Sequence, residues 1–101
     1  MIKHIALWRF KPDPTGRSVQ ERFVLISRAM KAQVGQIPGL LESEAGLNFK
    51  ESAKACDVAV YTVFQDRAAL EGYHEHPAHL SIREIVDPLV ASVAFVDYET
   101  A

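Results

Sequence analysis

Val58-Ala59-Val60-Tyr61-Thr62-Val63-Phe64 is an uninterrupted run of β-branched and aromatic residues, the composition that suits a pleated, buried surface. Val58, Val60 and Phe64 alternate with Ala59 and Val63, so apolar side chains leave this strand on both faces. A strand of that kind belongs inside a sheet covered on both sides. Just downstream, Asp66 is placed to cap a short helix from Arg67 to about His74. Pro77 suits the first turn of a second helical piece that passes through Leu80, Ile82, Ile85 and Val86 and stops before Pro88. A last strand, Leu89 to Tyr98, is apolar on both faces, with Val90, Ala94 and Val96 on one and Ala91, Val93 and Phe95 on the other.

Upstream, beyond the polar stretch Lys50 to Cys56, Leu40 to Asn48 reads as a weaker strand. Leu41, Ser43, Ala45 and Leu47 share one face, and Glu42, Glu44 and Gly46 the other; such polar alternation marks an edge or half-exposed strand. A helix is expected from Val19 to about Val34, where Val19, Phe23, Ile26, Met30 and Val34 fall on one face. Ser18 with Glu21 makes a capping-box start, and Gly35 ends the helix before Ile37-Pro38-Gly39. Ile2 to Phe10 is a first strand closed by Pro12 and Pro14, with Ile2, His4, Ala6, Trp8 and Phe10 on one face and Lys3, Ile5, Leu7 and Arg9 on the other.

The order is β-α-β-β-α-β, the split βαβ pattern of an α+β, ferredoxin-like subunit with an antiparallel four-stranded sheet. Two right-handed crossovers put both helical layers on one side of that sheet. The other side is then bare, yet three strands are apolar on it. Leaving roughly six such side chains in water, at about 1.5 to 3 kcal/mol each, would rival the stability of a small domain. A second copy of the chain is the simplest cover, giving a homodimer through the sheet face.

With 101 residues and 49% apolar content, the chain has room for one domain, residues 1–101, and no second core. Lys and Arg total 11 against 13 Asp and Glu without runs of one sign, which argues against nucleic-acid and membrane-surface partners. The opening segment is too short and too interrupted by Lys3, His4 and Arg9 for a signal peptide, and no stretch approaches about 20 apolar residues, so a soluble cytoplasmic protein is expected. Cys56 is the one cysteine; it excludes an internal disulfide and reads as an incidental loop thiol.

Chemistry concentrates in Tyr73-His74-Glu75-His76-Pro77-Ala78-His79, at the break in the second crossover. That crossover packs across the sheet, so its break approaches the first strand if His4 points to the helical side. His79 falls in the first turn after Pro77, where the positive helix end disfavours imidazolium; its neutral ring can accept a proton. Tyr73 can offer a phenol to a carbonyl or developing oxyanion in the same cavity. His4 or a backbone carbonyl would orient the base. His76, before Pro77, suits a helix start, and although it stands three residues from His79, no carboxylate cluster accompanies the pair to make a metal site. Expected lining residues are Ala6, Trp8, Ile26, Met30, Val60, His74, Ile82, Val93 and Phe95, with no metal and no cofactor.

Several features together resemble the stress-responsive dimeric α/β-barrel (Dabb) family: Lys3-His4-Ile5-Ala6-Leu7 with Phe10-Lys11, Ile37-Pro38-Gly39, Val63-Phe64, Tyr73 followed by His76-Pro77-Ala78-His79, and Phe95-Val96-Asp97-Tyr98. The resemblance implies ferredoxin-like subunits paired across their sheets. The family's best-understood enzyme, the plant polyketide cyclase that makes olivetolic acid, performs a cofactor-free intramolecular aldol condensation. By resemblance His79 takes the place of its base, Tyr73 that of its carbonyl-binding phenol and His4 that of a pocket histidine. Trp8 and Phe95 are expected to fill much of the elongated apolar tunnel that enzyme needs, and Arg83 adds a charge near the pocket, so a different substrate is implied.

The leading expectation is therefore a cofactor-free cyclase- or lyase-type pocket for a small apolar or aromatic carbonyl compound. A non-catalytic stress-associated or ligand-binding dimer is the alternative from another class, and a monooxygenase of the same superfold, recognisable by haem binding or oxygen uptake, is a third.

Overall fold

The computed structural model describes residues 1–13 and 15–101. Pro14, one of the two prolines read as closing the first strand, lies outside the described residues. The elements run β1 (Ile2–Phe10), α1 (Val19–Ala32), β2 (Leu40–Leu47), β3 (Val58–Phe64), α2 (Arg67–Glu75), α3 (Pro77–Val86), a 3₁₀ turn (Asp87–Leu89) and β4 (Val90–Glu99). The sheet order is β2-β3-β1-β4 with every neighbouring pair antiparallel. This is the ferredoxin-like α+β fold, its helices on one face of the sheet.

Local signals set the element ends. Ser18 Oγ accepts from the Glu21 amide at 3.1 Å while the Glu21 carboxylate accepts from the Ser18 amide, which satisfies two amides that a helix start leaves unpaired. Asp66 accepts from the Ala69 amide at 2.8 Å. His76 does the same for the next helix, its Nδ1 accepting from the Ala78 amide at 3.0 Å with Pro77 in the first turn. His76 therefore has the helix-start role read from the sequence.

Two strands depart from simple alternation. A bulge at Leu41 lets Leu40 pair with Phe64 and Glu42 with Val63, so Leu40 is buried on the helical side while Leu41 is exposed. Leu41 therefore does not share the face of Ser43, Ala45 and Leu47. A second bulge, at Ala91, pairs Phe10 with Val90 and Arg9 with Ser92; Val90 joins Val93 and Phe95 instead of Ala94 and Val96. Each extra residue advances the chain by one and reverses the face of what lies beyond it. The first helix also stops at Ala32, short of Val34, which stays exposed. Its inward face instead includes Arg22 and Gln33, both buried. Arg22 gives its charge to the Lys11 carbonyl at 2.6 Å and lies 4.7 Å over the Phe10 ring, so a buried guanidinium ties the end of β1 to α1.

The core is divided. Ala6, Ile26, Met30, Val58, Val60, Ile82 and Val86 form one cluster, and Ile2, Ile37, Leu40, Phe64 and Tyr73 another. Gly39, at the close of Ile37-Pro38-Gly39, has φ of +80° and a Cβ there would collide with the Ala69 side chain. Gly39→Ala is expected to lower stability by about 2–4 kcal/mol through combined backbone strain and overpacking, measured as a lower urea midpoint with an unchanged slope.

Candidate functional site

Register decides what faces the helices. His4 pairs with Thr62 on one side and Asp97 on the other, and Thr62 pairs with Ser43. Ser43, Thr62, His4 and Asp97 thus form one polar rung across all four strands. The next rung, Ala45, Val60, Ala6 and Phe95, is apolar. This polar rung runs between the two core clusters, and over it sit Gln33 at the end of α1, Tyr73 on α2 and His79 on α3.

The Tyr73 and His79 rings are 4.0 Å apart, and His74 packs 5.8 Å from Tyr73 and 5.9 Å from His79. Phe64 backs Tyr73 edge-on at 4.9 Å. The break between α2 and α3 produces this grouping: α2 delivers Tyr73 and His74 from its last turn, and Pro77 restarts the chain so that His79 faces back toward them. His4 Nδ1 bonds to Asp97 Oδ1 and leans on the Phe95 ring at 5.8 Å.

A cavity of about 430 Å³ opens against these groups. Ala6, Trp8, Met30, Val60, Ile82, Val93 and Phe95 line it, with Val86 and Val90 in addition. His4, Asp97, Tyr73, His74 and His79 gather its polar wall, and Arg83 and Asp87, paired at 3.3 Å, add a charged pair. The volume lies in the range of small-molecule sites. Trp8 and Phe95 border the space and do not fill it. Ile26 is fully buried within the first core cluster and contributes nothing to the wall: its position on α1 puts it behind Ala6 and Val60, one turn from Met30, which does reach the cavity.

The sequence reading gave His4 the task of orienting His79, but His4 is held by Asp97. His79 Nδ1 is buried with no hydrogen-bond partner among the described residues, so packing against Tyr73 and His74 sets its ring. Asp97 was legible only as part of the closing motif. Its partnership with His4 spans 93 positions, although its alternation with Val93 and Phe95 would place it on the same face. Gln33 was missed outright. Its side-chain oxygen accepts from the Tyr73 hydroxyl at 3.5 Å, while its Nε2, like Thr62 Oγ1 and Ser43 Oγ, finds no partner among the described residues.

Burial lowers the His79 pKa from 6.5 to about 4, helped by the positive potential of His74, Arg83 and His4 and opposed by Asp87. Burial pushes the Tyr73 phenol up to about 12, with Gln33 opposing. At neutral pH the cavity therefore holds a neutral imidazole beside a neutral phenol.

Fold and site together define a ferredoxin-like domain with a cavity between its sheet and its split second crossover, and with the opposite sheet face uncovered by its own chain. Residues 2–100 match the family described as Stress Responsive A/B Barrel Domain (Dabb), and the chain belongs to that family. An uncharacterized protein of Streptomyces coelicolor is 35% identical over 79 residues, 78% of this chain and 79% of that protein. A dimeric protein of unknown function and ferredoxin-like fold from Bacteroides fragilis is 28% identical, covering 98% of this chain and 95% of that one with a TM-score of 0.80. A hydroxynitrile lyase from Passiflora edulis has the same fold at 18% identity and a TM-score of 0.79, covering 96% and 90%. No helix among the described residues is long and apolar enough to cross a membrane.

The depressed His79 value has a thermodynamic signature. Between 6.5 and about 4 the unfolded chain binds a proton that the native state refuses, so stability falls as pH descends through that window and levels off below it. His79→Gln is expected to flatten this slope in urea melts, and the ring signals of His79 are expected to titrate near 4 by NMR.

Proposed function

We propose that the chain acts as a homodimer whose cavities bind a small apolar or aromatic carbonyl compound and remove a proton beside its carbonyl without a cofactor. His79 is the general base. Tyr73 donates to the carbonyl oxygen, whose negative charge grows as the enolate forms, and His4, held by Asp97, supplies a further polar contact at the same wall. The enolate carbon then attacks a second carbonyl of the ligand, whose oxygen takes the proton back from His79; in the lyase direction His79 takes the proton of a β-hydroxyl, the carbon–carbon bond breaks to a carbonyl and an enolate, and the enolate carbon recovers the proton from His79. The observation that carries this reading is the ring contact of 4.0 Å between Tyr73 and His79, facing a cavity whose other walls are largely apolar. A neutral base and an un-ionised donor stand side by side, the pairing that proton abstraction next to a carbonyl uses, with the lowered His79 value making it a weaker base than a free imidazole.

The dimer is supported by the bare sheet face. Leu7 (42% exposed), Val96 (52%) and Tyr98 (40%) stand there with Ala59 and Ala94, and Phe49 projects fully exposed from the loop after β2. Exposed apolar side chains grouped in this way mark an interface, and a second identical sheet is the simplest cover for them. The Bacteroides fragilis protein of the same fold is dimeric.

Two experiments test the two parts. Trp8 is the only tryptophan and lines the cavity, so benzoylacetone or acetophenone is expected to quench its fluorescence. The protein is also expected to accelerate deuterium exchange at the ketone α carbon, and His79→Ala is expected to remove about 100-fold of that acceleration while leaving the circular dichroism spectrum intact. Exchange unaffected by that substitution would favour a dimer that only binds its ligand. The acid limb of the exchange rate should fall near pH 4 to 5 and not near 6.5. Light scattering should give twice the 11.3 kDa chain mass, reverting to one chain in the Leu7→Lys, Val96→Lys double variant; a native monomer at tens of micromolar would end the dimer reading.

A further inference from the structure

Gln33 closes α1 with its backbone pinned. Its amide donates to the Met30 carbonyl at 3.2 Å, and its own carbonyl accepts from Gln36 at 3.0 Å and Ile37 at 3.1 Å. The side chain is 1% exposed and has one protein partner, the Tyr73 hydroxyl, 3.5 Å from Oε1. Its Nε2, carrying two hydrogens, has none among the described residues. Buried polar groups are seldom left this way.

A phenol has a single proton to give. With Oε1 toward it, that proton is directed at Gln33, away from the cavity, and one amide donor is stranded. A half-turn of the terminal amide exchanges nitrogen and oxygen without changing the side chain's shape. Nε2 then donates one hydrogen to the phenol oxygen, Oε1 takes the unpartnered position in its place, and the phenol hydrogen is released toward the space shared with His79. Accepting one hydrogen bond also makes the hydroxyl a better donor of its own.

We infer that Gln33 is the positioning residue of the site, turning its amide so that Nε2 donates to the Tyr73 oxygen and the Tyr73 hydroxyl points into the cavity. Its value for carbonyl recognition rests on the function proposed above; its geometry does not. The direction in which removal of Gln33 shifts the phenol's ionisation distinguishes the two amide orientations. An N–H donor favours phenolate, so its loss raises the pKa, whereas loss of an acceptor lowers it.

The test places a fluorotyrosine at position 73, whose phenol ionises closer to neutrality, and follows its ¹⁹F signal against pH in the full chain. In Gln33→Met, which keeps length and loses polarity, the midpoint is expected to rise by about one pH unit. In Gln33→Glu, where a carboxylate takes the phenol's proton, it is expected to rise further. A fall in Gln33→Met would show the carbonyl oxygen facing the phenol and overturn the inference. An unmoved midpoint in both variants would show the side chains uncoupled and overturn it equally. No substrate is needed, so a protein that fails to exchange any ketone proton but shows the upward shifts would sink the catalytic reading alone.

Discussion

Ala6 lies between Val60 on β3 and Phe95 on β4, and that same register sets His4 between Thr62 and Asp97. Side chains alternate strictly along a strand, so a slip of one residue would turn His4, Ala6 and Trp8 to the bare face and carry Lys3, Ile5 and Leu7 under the helices. Burial forbids the slip: Ile2 and Ala6 are almost completely enclosed, and placing Lys3 in their stead would bury a charge without a partner. The polar rung does not hold itself in place. It contains hydroxyls with no partner among the described residues, and its position is enforced by the apolar rungs on either side of it. Packing fixes the register, and the register assembles the chemistry.

The division of the core follows from the same arrangement. Tyr73 belongs to the second cluster through Phe64, whereas Met30 and Ile82 belong to the first, so Tyr73 and His79 stand where the two clusters meet. Surrounding a few polar groups with hydrocarbon raises the penalty on charging any of them. That penalty is the largest contribution to the lowered His79 and raised Tyr73 values. The helix-start effect argued from sequence acts in the same direction for His79, but burial leads.

Features carried by neighbouring residues were legible in the sequence. Ser18 with Glu21, Asp66 and His76-Pro77 each act within three positions of the amide they satisfy, and the alternation of β1 and β3 holds along their lengths because neither is bulged among its first residues. Leu41 and Val90 were assigned to the wrong faces because a bulge leaves no mark in a pattern of apolar letters. The apolar pattern of the first helix passes over Gln33 and Arg22, since nothing local announces that a polar side chain will be buried against partners 40 and 11 positions away. Asp97 needed the β1–β4 pairing before it could be joined to His4. The crossover geometry and the family resemblance together carried Tyr73, His79 and His4 to one place, but the pairing of His4 with Asp97 came only with the register.

The site's openness has a structural cause as well. On the helical side, Val93 and Phe95 of β4 are 56% and 67% exposed, because β4 is an edge strand added beyond β1 and the helices lie over the rest of the sheet. The cavity is consequently walled by α3 on one side and by the half-covered β4 on the other, with Trp8 beneath. Two aromatic side chains on neighbouring strands, one rung apart, favour a flat ligand lying along the sheet over a long flexible chain threaded between helices. Such a ligand would reach His4, Tyr73 and His79 with one end while covering Val93 and Phe95, so the contact that orients it would also shield the buried rings from water.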